Sequence, residues 1–296
     1  MRVPQRIAIS GSSGLIGSAL VGHLKSEGHT VQRLVRRAPI SSDEVLWDPQ
    51  TGFVDLSALE GVDAVIHLAG IGVGDKRWTK KYKSEILNSR LLGTTAIAKA
   101  VAQLKPQVFI SASAIGWYGE SGNRAVVETD RVGDDFLAAV CREWEAAADL
   151  ATDVRTVKLR TGLVLDPTGG ALGKMLPLFR LGFGGKLGSG KQWWSWITLH
   201  DQLRAIDFAL TNPISGPVNL TSPNPVTNQE FTSALARALH RPAVFPAPAI
   251  ALKIALGGFS SEILGSKKVI PHVLQEAGFT WDYPHITDAL NLLVQD

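Results

Sequence analysis

The sequence predicts an α/β fold: a Rossmann-type, doubly wound parallel sheet with a small, mostly helical C-terminal domain. Three observations lead there. Strand-like and helix-like segments alternate through the first half of the 296 residues, as they do in parallel sheets with crossover helices. A glycine turn, Gly11-x-x-Gly14-x-x-Gly17, stands between the first apolar run and the first amphipathic one. After Leu165 the texture changes, first to glycine-rich loops and then to helical runs. The expected division is 1–165 for the Rossmann domain, with a segment near 197–222 returning to it, and 166–296 for a smaller substrate-side domain.

Each element has its own signal. Ile7-Ala8-Ile9 is a short apolar run of the buried-strand type, and Leu15, Ile16, Ala19, Leu20 and Leu24 line one face of the helix that follows. Val31 to Val35 reads as the second strand, and Val62 to Leu68 as another, ending in Ala69-Gly70. Ile86, Leu87, Arg90, Leu91, Thr94, Ile97, Ala98 and Val101 trace a long helix. Val108 to Ser111 is a strand leading into Ser113 and the loop Gly116-Trp117-Tyr118-Gly119; Phe136 to Leu150 is helical and Val154 to Leu159 is a strand. Pro217 to Leu220 is expected to return to the sheet, and Thr227 with Glu230 forms a capping-box pattern ahead of a helix faced by Phe231, Leu235, Ala238 and Leu239.

In such sheets ligands sit beyond the carboxyl ends of the strands. That rule gathers the segment Gly11, Ser12, Ser13, Gly14, Leu15, Ile16 and Gly17 with Leu68, Ala69, Gly70, Ser111 and Leu163 around one crevice. Glycines at this turn let the backbone approach a pyrophosphate, and the helix N-terminus offers free N–H groups to it. The second strand indicates which dinucleotide. An NAD site ends this strand in an acid that accepts from the ribose hydroxyls. Here Arg36 and Arg37 follow the strand and the first acid is Asp43. A guanidinium holds a phosphate through paired N–H donors, so the expected cofactor is NADP(H), with Arg36, nearest the strand end, as the better candidate.

Composition excludes several classes. An apolar fraction of 45% and a charged fraction of 19% are ordinary for a soluble globular enzyme. The net charge is only +3, and basic residues fall in scattered groups such as Arg36-Arg37, Lys80-Lys81 with Lys83, and Lys267-Lys268. That is no continuous nucleic-acid face and suits a small anionic ligand. The one cysteine, Cys141, rules out an internal disulfide. With no leader ahead of the first strand, a cytoplasmic protein is expected. The longest apolar run, Ala247 to Gly257, contains Pro248 and Lys253 and is too short to span a bilayer, so no membrane contact is expected. His and Cys show no metal-ligand spacing, and no metal is expected.

Further motifs extend the pattern: Val65-Ile66-His67-Leu68-Ala69-Gly70, Arg77-Trp78, Ser89-Arg90, Ser111-Ala112-Ser113-Ala114-Ile115-Gly116, Arg160-Thr161-Gly162, Trp196-Ile197 leading to His200-Asp201, Asn219-Leu220 with Pro223-Asn224-Pro225-Val226-Thr227, and Gly278-Phe279. Together with the glycine turn they resemble the short-chain dehydrogenase/reductase superfamily in its extended, epimerase-like branch. More closely, they resemble its atypical members with a C-terminal domain of unknown function. The resemblance covers almost the whole chain. It implies a nicotinamide cofactor, a substrate cleft between the two domains and a homodimer closed through the two long helices.

In catalytic members of that superfamily a Tyr, with a Lys four residues later, exchanges a proton with the substrate as hydride moves. The three tyrosines here, Tyr82, Tyr118 and Tyr283, are followed four residues on by Ile86, Gly122 and Thr287. Counting back from Trp144-Glu145 places Phe136 at the Tyr position and Val140 at the Lys position. Three explanations stand: chemistry moved to other residues, a reaction needing no strong acid or base, or a non-catalytic NADP(H)-binding sensor or scaffold. For moved chemistry the candidates are Ser113, as a hydrogen-bond donor to substrate, and Tyr118, as a proton source if a nearby cation lowers its pKa. On the substrate side Lys76, Arg77 and Trp78 offer a clamp for an anionic or aromatic ligand, or an anchor for their own loop. Trp193, Trp194 and Trp196 offer a stacking surface for a sugar or base. Asp201 is expected in a first helical turn, and His200 as a packing or loop-tying group.

Overall fold

The computed structural model describes residues 3–295. Its strands are β1 (Arg6–Ser10), β2 (Thr30–Val35), β3 (Glu44–Asp48), β4 (Phe53–Val54), β5 (Ala64–His67), β6 (Val108–Ala114), β7 (Ala125–Val126), β8 (Arg155–Thr161), β9 (Leu163–Asp166), β10 (Trp193–Trp194), β11 (Trp196–Thr198), β12 (Gly216–Leu220), β13 (Val226–Thr227) and β14 (Lys268–Val269). Its helices are α1 (Leu15–Ser26), α2 (Lys80–Leu104), α3 (Phe136–Ala148), α4 (Gly170–Arg180), α5 (Leu199–Thr211), α6 (Asn228–Ala238), α7 (Ala249–Leu256), α8 (Ser260–Leu264), α9 (His272–Glu276) and α10 (Ile286–Val294).

The central sheet has eight strands in the order β12-β8-β6-β5-β1-β2-β3-β4. Every neighbouring pair is parallel except β3 with β4, which is antiparallel. This is the doubly wound Rossmann arrangement, with its strand order reversing between β1 and β5. The alternation within β1 shows why the chain is layered. Ile7 and Ile9 point into a core with Ile66, Ile110, Val157, Leu20, Leu24 and Ile206. Ala8 points to the opposite core with Leu34, Val65, Phe109, Ile97 and Val101. Both faces are covered, α1 and α5 on one and α2 and α3 on the other, which is why the parallel strands read as continuous apolar runs.

Helix ends follow their caps. The Thr79 side chain accepts from the Tyr82 amide at the start of α2, and Lys105 closes that helix in the left-handed region at φ 50°. Asp135 caps α3 through the Ala138 amide at 2.8 Å. The expected capping box of Thr227 and Glu230 is present at α6. As expected, β12 returns to the main sheet beside β8. The sequence reading did not include β3: its Glu44 is buried in an ion pair with Arg37, a partner that period-2 patterning does not reveal.

Of the remaining short strands, β14 pairs with β7 and ties the C-terminal segment to the first half of the chain, while β9 pairs with β11 and β10 with β13 within the second half. A separate core of Leu172, Phe179, Trp196, Phe231, Leu235 and Leu290 holds α4, α6 and α10 together. Trp196 is fully buried there, and its indole N–H donates to the Asn224 carbonyl at 3.1 Å. It therefore cannot serve on the substrate side as expected; its size fills this core instead. Among the described residues no helix is long and apolar enough to cross a membrane.

Candidate active site

The glycine turn sits at the carboxyl end of β1, at the point where the strand order reverses. Its three glycines are needed for three different reasons. Gly11 has φ +72°, and a Cβ on it would lie 2.7 Å from the Ala69 nitrogen. The turn therefore packs directly on the segment that follows β5. A Cβ on Gly17 would lie 2.1 Å from the Gly11 carbonyl oxygen, so this glycine lets α1 approach the turn. Gly14 differs. A Cβ there would meet only the Gly11 oxygen, at an ordinary 3.5 Å. Nothing in the protein forbids a side chain at 14, and the open space ahead of it is where a pyrophosphate approaches the backbone. Gly14 is also the N-cap of α1 and offers no side-chain acceptor, which leaves the first amides of the helix free for an anion. Ser12 and Ser13 edge the same opening. Leu15 and Ile16 lead the first turn, with Leu15 packed against Gly169, just before α4.

Beneath the turn a polar row crosses the sheet. Ser10, His67 and Ser111 are in register on β1, β5 and β6. The Ser10 hydroxyl and His67 Nδ1 are 2.6 Å apart, and both residues are buried. Burial pushes the His67 pKa down to about 3, so the ring is neutral near pH 7. Leu68, Ala69 and Gly70 continue from β5 toward the crevice and become progressively exposed, and Leu163 lies half-buried at the start of β9.

At the end of β2 the charges sort themselves. Asp43 accepts from Arg33 at 3.1 Å, and Glu44 takes both Arg37 nitrogens at 2.7 and 2.6 Å. The guanidinium of Arg33 holds the Asp43 carboxyl well below its usual range, and that of Arg37 does the same for Glu44. The two acids nearest the strand end are thus neutralised. Arg37 is occupied as well, contrary to the expectation that it holds cofactor. Arg36 is exposed and, among the described residues, has no acid partner.

Phe136 opens α3, and Val140 is buried one turn later against Tyr82 and Ile86. Neither side chain carries a titratable group. The Phe136 ring packs edge-on against Trp78 at 5.3 Å, and the Lys83 ammonium lies 4.7 Å from the Phe136 ring centre. Trp78 also meets Phe259 at 5.8 Å and donates its N–H to the Val73 carbonyl at 2.7 Å. Arg77 donates to the Ile254 carbonyl at 3.1 Å, and the Lys76 ammonium lies 5.6 Å from the Tyr82 ring centre. Of the two readings of this triplet, anchoring describes Arg77 and Trp78: they fasten their loop to the C-terminal segment.

The two candidates for moved chemistry are both committed elsewhere. The buried Ser113 hydroxyl donates to Glu145 at 2.7 Å. The Tyr118 hydroxyl donates to Asn219 Oδ1 at 2.6 Å and accepts from Arg160 at 3.1 Å. Burial pushes the Tyr118 pKa up to about 12, outweighing the Arg160 charge beside it. The expectation of a proton source at Tyr118, and of a substrate donor at Ser113, is therefore corrected. Both side chains belong to a buried network in which Arg160 grips Glu145 through Nε and Nη2 at 2.8 and 2.9 Å. His200 and Asp201 are also structural: His200 meets Asp282 at 2.6 Å, and Asp201 accepts the amides of Asp282 and Tyr283 at 3.0 Å each.

One residue at the crevice was not singled out for function from sequence. The Arg90 guanidinium, from α2, lies beside Gly70, where a Cβ would stand 3.7 Å from its Cζ. It stacks 4.8 Å from the Trp144 ring centre. Nη1 donates to the carbonyls of Ile71 and Ile86 at 3.1 and 3.2 Å. Among the described residues no carboxylate pairs with it. Burial lowers its pKa, and the guanidinium stays cationic at neutral pH. Its sequence signal was an arginine on the same helix face as Ile86, Thr94 and Ile97, where only apolar or small residues are expected.

Comparison with known proteins matches this architecture. Residues 7–221 fit the model of the NAD dependent epimerase/dehydratase family, and residues 247–293 fit a domain of unknown function, DUF1731. The epimerase family protein MT2273 of Mycobacterium tuberculosis is 46% identical over 288 residues, covering 96% of each chain. The crystal structure of the human epimerase family protein SDR39U1 (isoform 2) with NADPH superposes with a TM-score of 0.90 at 32% identity, covering 97% of this chain and 98% of that one. A nucleoside-diphosphate sugar epimerase from Corynebacterium glutamicum superposes at 0.81 with 35% identity, covering 99% of this chain but 58% of that longer one.

Proposed function

This chain belongs to the NAD dependent epimerase/dehydratase family, and on that premise we propose that it is an NADP(H)-binding, oxidoreductase- or epimerase-like protein acting on a small anionic substrate without a Tyr-x-x-x-Lys pair. The observation that carries the cofactor reading is the charge sorting after β2. Asp43 and Glu44 are neutralised by Arg33 and Arg37, so neither is a free acceptor for ribose hydroxyls. Arg36 remains as an exposed cation. The human relative with NADPH bound supports the same choice.

The residues present fit the cofactor. Gly14 leaves an opening that a Cβ would reduce, the first amides of α1 face it, and Arg36 stands at the end of β2 for the 2′-phosphate. When bound, the nicotinamide supplies hydride chemistry. The chain's own part is to bind and orient. The uncharged Phe136 and Val140 stand where a proton-transfer pair would, so any proton that moves comes from the substrate, from water or from a group not in that pair. Arg90 offers a cation beside Gly70 for the anionic part of the substrate.

Calorimetric titration with NADPH, NADP⁺, NADH and NAD⁺ tests the cofactor assignment. Tight binding of the phosphorylated pair is expected, with Arg36→Ala losing about tenfold or more for NADPH and little for NADH. Unchanged preference in that variant overturns the assignment. NADPH oxidation against a panel of carbonyl compounds and nucleotide sugars then identifies the substrate class, and the absence of any consumption leads back to a binding role.

A further inference from the structure

The three tryptophans between 193 and 196 divide in the structure. Trp196 fills the core of the second half, and Trp194 packs against that core with its ring 5.2 Å from that of Phe231. Trp193 joins none of the apolar clusters formed by the described residues. Its ring is half-buried among polar groups instead. The Lys268 ammonium lies 4.1 Å from the ring centre, and the indole N–H donates to Asn123 Oδ1 at 3.0 Å. The backbone is pinned as well: the Trp193 amide donates to Ser266 Oγ at 3.0 Å, and its carbonyl accepts from the Lys267 amide at 3.0 Å. A tryptophan so fixed, yet serving no core, keeps an apolar surface for another use.

Trp193 is one wall of a cavity of about 410 Å³, lined also by Asn123, Gly190, Lys191, Thr227, Gln229 and Glu230. Gly190 is buried at φ +74°, and a Cβ there would stand 3.2 Å from Gln229 Cβ, so a glycine lets the start of α6 close on this side. The polar groups of the lining are only partly engaged. Asn123 uses its carboxamide oxygen on Trp193, which leaves its NH2 group. Glu230 Oε2 accepts from the Thr227 amide and hydroxyl at 2.7 and 2.8 Å, which leaves Oε1. The side chains of Gln229 and Lys191 are exposed and have no hydrogen-bond or ion-pair partner among the described residues. A small-molecule pocket is mostly apolar with a few polar groups. This lining reverses that balance: one aromatic ring, no Leu, Ile, Val or Phe, and donors and acceptors in mixture. It suits a ligand with one C–H face and a rim of hydroxyls, each of which donates and accepts. A sugar ring has that form. Its C–H face meets the negative face of the indole, and its hydroxyls meet the free amide, carboxylate and ammonium groups.

We propose that this cavity binds a sugar ring, with Trp193 as the stacking platform and Gln229, Glu230 and the Asn123 NH2 group as partners for its hydroxyls. Lys191 admits an acidic sugar. Of the three tryptophans expected to offer a stacking surface, Trp193 alone then serves as one. No residue of the lining belongs to the glycine turn or stands beside Arg90, so the proposal does not depend on NADP(H) turnover.

The test is saturation-transfer NMR of the full chain with methyl glucoside, methyl glucuronide and N-acetylglucosamine at millimolar concentration. Transfer is expected to at least one of the three, strongest at the C–H protons of one ring face. Trp193→Ala should weaken binding about tenfold or more. Gln229→Ala, at an exposed position, should weaken it about fivefold, while the melting temperature and the NADPH titration stay as in the parent. That second variant decides the matter if Trp193→Ala fails to fold. No transfer to any of the three sugars overturns the proposal, as does transfer that a folded Trp193→Ala protein, or failing that Gln229→Ala, leaves unchanged. Transfer to the base protons of uridine with none to the sugars also overturns it and assigns the ring to a base.

Discussion

At the residue scale, environment decides what each polar group can do. Tyr118 and Ser113 lie near the crevice in sequence terms, yet each hydroxyl is buried and has a fixed acceptor. Arg36 and Arg37 are adjacent, but among the described residues only Arg37 finds an acid. His67 yields a pH prediction. The folded chain keeps it neutral down to about pH 3, whereas the unfolded chain protonates near its ordinary value. This contribution to stability is therefore whole above about pH 6.5 and falls as the pH drops toward the folded-state value, by about 2 kcal/mol at pH 5. Urea unfolding at the two pH values should show that loss, and His67→Gln should remove it. Arg90→Met should raise the substrate KM, once a substrate is identified, with little change in NADPH affinity. An unchanged KM would remove Arg90 from the substrate site.

At the element scale, the turn between β1 and α1 separates folding requirements from binding requirements. Gly17→Ala puts a methyl 2.1 Å from a backbone oxygen, and a loss of about 1–3 kcal/mol is expected, read as a lower melting temperature. Gly14→Ala meets only ordinary contacts within the protein, so it should melt close to the parent while binding NADPH at least about tenfold more weakly. Equal effects of the two substitutions on melting would show that Gly14 serves the fold and not a ligand. The same turn shows how legible the site was. A glycine spacing after an apolar run was enough to locate it, because local backbone geometry is written locally. The loop at Lys76, Arg77 and Trp78 was legible only as a motif, because its partners Ile254 and Phe259 lie far along the chain.

At the scale of the whole molecule, buried polar groups lock the two halves together. Arg160 grips Glu145 and also donates to the Glu128 carbonyl at 3.0 Å. Burial works to lower its pKa, and the hydrogen bonds to Glu145 raise it above its ordinary value. The Glu128 side chain accepts the amides of Asn219 and Val273 at 3.0 and 3.2 Å, which connects the sheet to the C-terminal segment. Arg160→Met leaves the buried Glu145 unpaired and should cost about 3–5 kcal/mol. Adding Glu145→Gln should recover part of that loss in a double-mutant cycle, and strict additivity would show that the two side chains do not act as a pair.

The sequence by itself determined the parallel α/β fold, the glycine turn, the return of β12 to the sheet and the absence of any Tyr-x-x-x-Lys spacing among its 296 residues. Each of these follows from neighbouring residues and a short-range period. Tertiary structure alone decided which candidates are engaged by the protein itself. Trp196 fills a core, Tyr118 and Ser113 enter a buried network, Arg37 is taken by Glu44, and Arg90 emerges beside Gly70. The physical reason is common to all of them. The availability of a side chain depends on which partner reaches it first, and those partners come from other segments of the chain, which periodicity does not register.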